Sequence, residues 1–381
     1  MNYFNPHIRL VARRISILCA AFFVVFSYLY LYFFQGDLMT QVHFQLSDGE
    51  FNTHAALSAA LCTLLLFLVG LFCIRLLHWL PLRLMATGWF FPFLILGWLT
   101  HWRLPQFGDS GASPSWMLFV FPLLFFALLI VLGRAFPDSS KENGTFATYA
   151  WPNALLLVLF ASMTIGLSNT DASVHTTLRS ARYLSQQRYE KVLSAARHEP
   201  APSRQLSAIV SMALSETGQL GERLFSYPQP YGSEGLIPQL SDTALFVNLP
   251  YAVGHHLGYV RGGHTSADFF LEVINQKPKA RPASRDYQLS AYLLDRNLDG
   301  FYSVLLQGDS LSVNLPRHYR EASLLYQQLY PQTEEILEDS LLSADFKDFL
   351  AMLNGEGSAQ EREMRCRGRY GNTYWCYFYF R

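Results

Sequence analysis

The first 169 residues of this 381-residue chain contain few charged side chains. They hold only 14 of the 58 charged residues, eight Lys or Arg and six Asp or Glu. Residues 170–381 carry no basic excess either, because their 21 Lys or Arg face 23 Asp or Glu. Nucleic-acid-binding proteins need a concentrated basic surface, so the composition excludes nucleic acid as a partner.

The chain also lacks the short motifs of common cofactor and metal sites. It has no Walker phosphate loop, dinucleotide-binding glycine fingerprint, kinase motif set or zinc-ligand spacing. Residues 295–300 copy the first half of an EF-hand calcium loop. However, Leu306 occupies loop position twelve, where calcium needs a bidentate Glu. We therefore expect no cofactor and no metal.

Long apolar runs take the place of charge in the first part of the chain. Five runs of 17 to 20 residues contain no charged side chain: 15–34, 55–74, 84–100, 116–133 and 151–167. A helix of roughly 20 apolar residues crosses the hydrocarbon core of a bilayer. The pattern therefore predicts a five-helix transmembrane bundle within residues 1–169, with the lipid bilayer as its surroundings.

The loops between these runs predict an orientation. Seven basic residues lie on one side of the predicted membrane and only Arg103 lies on the other. The seven are Arg9, Arg13, Arg14, Arg75, Arg83, Arg134 and Lys141. The positive-inside rule places that side in the cytoplasm. Five spans of the inner membrane would then leave the N-terminus cytoplasmic and residues 170–381 periplasmic.

Residues 170–350 show the three- and four-residue spacing of amphipathic helices. One long helix is expected over residues 172–197, and further helices are expected from Ser203, Ser284 and Leu315. Helix pairs with glycine turns are typical of tetratricopeptide (TPR) repeats, although no regular 34-residue period runs through this sequence. We expect an all-α fold with a soluble TPR-like repeat domain, and an irregular α bundle is the alternative.

The terminal segment, residues 360–381, has a different pattern. It is dense in aromatic residues, and Gly371 with Asn372 forms a turn signal. Cys366 and Cys376 are equally far from Gly371, so a hairpin centred there would place the two sulfur atoms opposite each other. The pattern predicts a short C-terminal β-hairpin. A disulfide between the two cysteines and a pair of free thiols are both compatible with it.

Several stretches together resemble a known family. They are residues 167–171, 221–228 (GERLFSYP), 286–289 with 293–295, 315–322 (LPRHYREA) and 372–375 (NTYW). They are similar to a family of uncharacterised multi-pass membrane proteins from Bacteroidota, in which membrane spans precede a TPR-like exported region. The resemblance implies an inner-membrane location and no catalytic residues. Members of that family end in an aromatic run without an obvious cysteine pair, so a disulfide would be particular to this sequence.

Three functions remain open from the sequence. The leading hypothesis is a membrane-anchored scaffold whose exported domain binds another envelope protein or a peptide. Its candidate binding residues are Tyr227, Tyr231, Tyr251, His255, Tyr259, Arg261, Tyr374 and Trp375. The alternative is an envelope enzyme that acts on a lipid-linked or glycan substrate through Asp48 and Glu50 of the first loop. A structural subunit of a larger complex is the third.

Overall fold

The computed structural model describes residues 6–40, 55–77, 81–101, 117–135, 145–168, 171–239, 248–262, 265–307, 315–331 and 340–381. All regular secondary structure in these ranges is helical, which confirms the all-α fold. The chain divides into two compact units, Met1–Ala172 and Ser173–Arg381. We refer to them as the N-terminal and C-terminal units.

The described residues of the N-terminal unit include five α-helices of ten residues or more. They are α1 (Pro6–Leu29), which continues as a π-helical turn (Tyr30–Phe34), α2 (Ala55–Leu76), α3 (Phe90–Leu99), which follows a 3-10 helix (Leu82–Trp89), α4 (Met117–Ala135) and α5 (Phe146–Leu167).

Four helices of this unit are long and apolar enough to cross a membrane. They are His7–Phe34, Ala55–Leu76, Leu82–Leu99 and Phe146–Leu167. Each coincides with a predicted apolar run, so four of the five predicted spans are confirmed as helices of suitable length and composition. The remaining run coincides with α4, whose apolar portion Pro122–Val131 is shorter. The five-helix transmembrane bundle is therefore not confirmed as predicted.

An aromatic cluster joins α1, α3 and α5. Phe23 of α1 stacks on Trp89 with ring centroids 4.8 Å apart, and Phe93 of α3 lies 6.0 Å from Phe160 of α5. Gly70 of α2 allows this close packing, because a Cβ atom there would overlap the Trp89 ring. The segment Leu82–Leu99 is consequently the most buried of the four candidate spans.

Helices α1, α3 and α5 run in the same direction. Along α5, Asn153 bonds to the carbonyl of Leu82, and Thr164, eleven residues later, bonds to the carbonyl of Phe93. Along α1, Phe23 packs against Trp89, and the hydroxyl of Tyr30 lies 3.3 Å from that of Thr100. Later residues pair with later residues in both cases, which is the pattern of parallel helices.

The C-terminal unit contains twelve α-helices in its described residues. They are α6 (Ala172–Ser185), α7 (Tyr189–Ala196), α8 (Arg204–Glu216), α9 (Leu220–Arg223), α10 (Asn248–Leu257), α11 (Ala267–Asn275), α12 (Ala283–Leu294), α13 (Leu298–Leu306), α14 (Arg317–Leu329), α15 (Ser340–Leu353), α16 (Ala359–Tyr370) and α17 (Tyr374–Phe380). Short 3-10 helices occupy Leu224–Ser226 and Gly232–Gly235.

Side-chain caps explain where several of these helices begin. Ser203 accepts a hydrogen bond from the backbone N–H of Leu206 at the start of α8, and Asn297 accepts from Gly300 at the start of α13. The calcium-like residues 295–300 therefore form a helix-capping turn. At the start of α16, Ser358 and Glu361 form a reciprocal capping box.

Two predictions about this unit are wrong. The single helix expected over residues 172–197 is broken into α6 and α7, where Gln187 adopts a φ of +56°. The expected β-hairpin is a helix pair, α16 and α17, with Cys366 in the first and Cys376 in the second. Gly371 lies at the turn, as expected, but Thr373 caps a helix there by accepting from the N–H of Cys376.

The predicted TPR-like repeat is not confirmed. Successive helices do pack as pairs, including α7 with α8 and α11 with α12. The helices of the unit are uneven in length, however, from 4 residues in α9 to 14 in α15. The C-terminal unit is therefore an all-helical domain in its described residues.

Candidate functional site

Half of the predicted binding residues lie in the core of the C-terminal unit. Tyr227, Arg261, Tyr374 and Trp375 are buried, so their side chains are not presented to a partner. The rings of the three aromatic residues fill the spaces between helices, since large apolar rings are stabilised most by full burial. Tyr231 and Tyr259 are half-buried, whereas Tyr251 and His255 are exposed.

A buried carboxylate, Glu321 of α14, organises the centre of this unit. Its Oε2 atom accepts hydrogen bonds from Nδ1 of His318 at 2.9 Å and from the backbone N–H of Tyr374 at 2.7 Å. Its Oε1 atom accepts from Nε of Arg317 at 2.8 Å. The negative charge therefore lies at the N-terminus of α17, where the helix dipole favours it.

The same centre brings together the stretches that carry the family resemblance. Phe225 of the GERLFSYP stretch packs on His318 of the LPRHYREA stretch, with ring centroids 4.9 Å apart. The backbone N–H of Phe225 donates to Nε2 of His318 at 3.4 Å, which places the imidazole proton on Nδ1, facing Glu321. The indole N–H of Trp375, in the NTYW stretch, donates to the Glu321 carbonyl at 2.8 Å. These motifs therefore hold the terminal helix in place.

An ion pair with a buried arginine fixes the irregular segment that follows α9. Arg261 is only 1% exposed, and its Nη2 atom lies 2.7 Å from Oε2 of Glu234. The other carboxylate oxygen of Glu234 accepts from the backbone N–H of Ala267, the first residue of α11. Arg261 also donates to the carbonyls of Ile237 and Thr265. Arg261, predicted to be a binding residue, therefore stabilises the fold instead.

An exposed surface lies along α10. Tyr251 is 55% exposed, and His255 lies four residues later on the same helical face. Nζ of Lys277 sits 5.2 Å from the ring centroid of Tyr259, and a guanidinium nitrogen of Arg281 lies 3.5 Å from Nε2 of His255. We call these five residues the aromatic–basic surface.

Gly258 positions the basic part of this surface. It ends α10 with a φ of +96°, and a Cβ atom there would overlap the carbonyl oxygen of Lys279. A glycine is needed on both grounds, because other residues rarely adopt positive φ. Arg281 completes the junction by donating its backbone N–H to the Leu257 carbonyl at 3.2 Å. The connection from α11 to α12 is thereby held against the end of α10.

Two side chains at the end of α8, together with His256 of α10, have the connectivity of a catalytic triad. Ser215 Oγ lies 2.8 Å from Nε2 of His256, and Nδ1 of His256 lies 3.0 Å from Oε1 of Glu216. In serine hydrolases the base links the nucleophile to a carboxylate in this order. Burial lowers the pKa of His256, an effect that Arg281 strengthens and Glu216 opposes. The imidazole is therefore kept neutral near pH 7.

The surroundings of Ser215 do not favour acyl-transfer chemistry. An oxyanion needs preorganised N–H donors, but the amides of Thr217, Gly218 and Gln219 all donate to carbonyls of the same turn. Ser215 also lies at the C-terminal end of α8, where the helix dipole disfavours negative charge. We interpret these contacts as a clamp between α8 and α10. Sequence analysis missed it because residues 215 and 256 are far apart in the chain.

The remaining predicted site residues are Asp48, Glu50 and the two terminal cysteines. Asp48 and Glu50 lie outside the described residues. Cys366 and Cys376 are free, buried thiols, so the structure has the second of the two alternatives that the sequence left open. Burial raises the pKa of Cys366 and raises that of Cys376 to about 11. Both groups are consequently protonated and poorly nucleophilic near neutral pH.

Comparison with known proteins gives a family but no activity. No curated protein and no solved structure is significantly similar to the chain. One family model, described as a family of unknown function (DUF6057), matches residues 13–262 and 258–381. Because these two matches cover most of the sequence, the chain belongs to the DUF6057 family.

Proposed function

We propose that the protein is a membrane-anchored scaffold whose aromatic–basic surface binds an acidic segment of another envelope protein. The N-terminal unit would hold it in the inner membrane. The C-terminal unit would present the surface in the periplasm. The observation that carries this proposal is the aromatic–basic surface, in which every residue except the half-buried Tyr259 is exposed. The charged groups around Glu321 and Arg261, in contrast, stabilise the fold.

The direction of the helices supports a periplasmic C-terminal unit. Helices α3 and α5 are parallel. Two spans can run in the same direction only if the chain crosses the membrane once more between them. Helix α4 is the segment available for that crossing. Five crossings, combined with the distribution of Lys and Arg in the loops, would support a cytoplasmic N-terminus and a periplasmic C-terminus.

The charge of the surface supports an acidic partner. Lys277, Lys279, Arg281 and Arg285 are all exposed within nine residues, and Tyr251 and Tyr259 add aromatic area beside them. Tyrosine and arginine are enriched in the residues that contribute most to protein–protein binding. A complementary negative segment would be steered to this surface by its charge.

Photo-crosslinking in native membranes tests the proposal on the full-length protein. A photoreactive residue at Tyr251 or His255 should give one adduct whose partner is crosslinked through an acidic segment, as read by mass spectrometry. The double variant Lys277→Glu, Arg281→Glu should lose most of that adduct, because it reverses the charge of the surface. The matched control is Lys347→Glu, an exposed lysine of α15, which should leave the adduct unchanged.

Two results would contradict the proposal. A photoreactive residue at exposed Met364 of α16 should not give the same adduct, and equal yields would indicate nonspecific capture. An adduct that survives charge reversal at Lys277 and Arg281 would show that the basic residues do not select the partner.

A further inference from the structure

An open apolar groove lies between α1 and α5 in the N-terminal unit. Its volume is about 630 Å³. The α1 side is formed by Ile15, Leu18, Cys19, Ala21, Phe22, Val25 and Phe26, and the α5 side by Ala150, Asn153, Ala154, Leu157 and Val158. Leu18, Val25 and Val158 on its rim are 53%, 57% and 54% exposed, so the groove opens to the surroundings of the unit.

The groove offers no spare polar group to a ligand along its length. Asn153 is its main polar side chain, and all of its strong hydrogen-bonding atoms are engaged. Its Nδ2 atom donates to the carbonyls of Leu82 and Tyr149, and its Oδ1 atom accepts from the N–H of Ala86. The occupant of the groove must therefore be apolar over this distance.

The length of the groove matches one leaflet of a bilayer. Its α1 wall extends from Ile15 to Phe26, which corresponds to about 16 Å at about 1.5 Å per helical residue. The hydrocarbon core of a bilayer is about 30 Å thick, so the groove spans about half of it. An acyl chain of a single leaflet has this extent, whereas a helix of another protein would cross both leaflets.

Positive charge lies at one end of the groove. Leu18 and Phe22 form a stripe on α1, and Arg14 extends this stripe one turn toward the N-terminus. The Arg14 side chain is exposed. Because α1 and α5 are parallel, the first turns of both helices are at this end. The guanidinium of Arg83 also lies there, 5.9 Å from the centroid of the Tyr149 ring.

We propose that the groove is a binding site for an anionic phospholipid. One acyl chain lies between α1 and α5, and the lipid phosphate pairs with Arg14 at the membrane surface. The site belongs to the leaflet that faces the N-terminal end of α1. It is independent of the aromatic–basic surface in the C-terminal unit.

Native mass spectrometry of the full-length protein tests the site. The protein is released from nanodiscs that contain phosphatidylglycerol and phosphatidylcholine in equal amounts, and the lipids that remain bound are counted. We expect one retained phosphatidylglycerol per chain. Arg14→Gln should lower the preference for phosphatidylglycerol about fivefold, the effect of one basic residue near an anionic lipid surface. Its matched control is Arg13→Gln, because Arg13 is exposed on a different stripe of α1.

A second pair of variants tests the acyl chain. Ala154→Phe fills the groove and should abolish retention of the lipid. Leu155→Phe, at an exposed position of α5 outside the groove, should not change retention. Val158→Trp at the rim is a milder test if Ala154→Phe does not fold.

Three outcomes would overturn the proposal. Equal effects of Arg13→Gln and Arg14→Gln would show that general positive charge, and no defined site, attracts the lipid. Retention that survives both Ala154→Phe and Val158→Trp would place the lipid elsewhere. A lipid-free dimer of the wild-type protein that is lost in Ala154→Phe would show that a second copy fills the groove.

Discussion

The two units bury polar groups in different ways. In the N-terminal unit, uncharged side chains of α5 bond to backbone carbonyls of a neighbouring helix, as Asn153 does to Leu82 and Thr164 does to Phe93. In the C-terminal unit, each of two ion pairs buries one full charge: Glu321 pairs with Arg317, which is 39% exposed, and Arg261 pairs with Glu234, which is 30% exposed. Burying a charge requires a paired partner and further hydrogen bonds, and both Glu321 and Arg261 have them.

The outer surfaces of the two units also differ in polarity. Leucine and phenylalanine side chains such as Leu57, Phe72 and Leu124 are exposed on the N-terminal unit, while Lys and Arg are exposed on the C-terminal unit. Lipid tails are as apolar as leucine, so side chains that would be unfavourable in water are stable there. The exposed side chains of the N-terminal unit therefore suit hydrocarbon, and those of the C-terminal unit suit water. Four experiments test this difference.

The largest expected effect is an all-or-none difference in the location of the two chain ends. Alkaline phosphatase fused after Arg381 should be active, and a fluorescent protein fused at the same site should be dark, because the proposed five crossings would export the C-terminal unit. The same reporters at the N-terminus should give the opposite pattern. Fluorescence at the C-terminal fusion would mean an even number of crossings and would refute the proposed topology.

Removal of the buried carboxylate should strongly destabilise the C-terminal unit. Glu321→Ala leaves Arg317, the buried His318 and the buried N–H of Tyr374 without their acceptor, and each buried donor left unpaired costs about 1–3 kcal/mol. Chemical unfolding of the full-length protein in nanodiscs, followed by Trp fluorescence and proteolysis, measures the change. Glu363→Ala removes an exposed ion pair of the same i,i+4 spacing and should cost less than about 1 kcal/mol.

A polar deletion in the N-terminal unit should be milder. Asn153→Ala removes hydrogen bonds to Leu82, Tyr149 and Ala86, and interhelical hydrogen bonds in membranes contribute about 0.6 kcal/mol on average. We expect a loss of about 1–2 kcal/mol, measured by unfolding in detergent mixtures. The control is Ser162→Ala, which bonds only within its own helix. A loss as large as that of Glu321→Ala would contradict the comparison.

The smallest expected effect is a pH dependence at the clamp between α8 and α10. The pKa of His256 in the folded protein is below its ordinary value of 6.5, so the unfolded chain takes up the proton first as pH falls. The contribution of His256 to stability is therefore present above about pH 6.5 and is lost at lower pH. Thermal unfolding at pH 8 and pH 5.5 should show a smaller pH difference in His256→Gln than in the wild type.

An exposed histidine outside the clamp provides the control for that experiment. His198 is exposed and is not among the groups that act on His256, so His198→Gln should retain the wild-type pH difference. The groups that face His256 are Glu216, Arg281 and His255. If His256→Gln and the wild type respond equally to pH, another group controls the dependence.

Much of the helical architecture could be predicted from local pattern. The apolar spacing after Ser203 and Ser284 located α8 and α12 within a few residues, because one buried face per helix leaves a visible period. The β-hairpin predicted for the terminal segment was wrong because the local pattern there is ambiguous. Its aromatic residues are compatible with either strand or helix, and only the cap at Thr373 and the carboxylate of Glu321 select the helix.

The candidate sites were less predictable than the helices. Tyr374, Trp375 and Arg261 were chosen as binding residues for their side-chain chemistry, but all three are buried. Exposure depends on which distant segment packs against a residue, and a single sequence does not record that. Tyr251 and His255, in contrast, are exposed on one face of α10. Their binding role stays a prediction that the crosslinking experiment tests.

Composition and local periodicity were enough to predict most of the helical architecture of this protein, including four long apolar helices and the division near residue 170. Which polar residues are structural follows only from the tertiary contacts. These contacts pair Glu321 with the terminal helix, join Ser215 and Glu216 to His256, and leave a groove between α1 and α5. Such contacts join residues far apart in the chain, and their energies depend on burial that exists only in the folded protein.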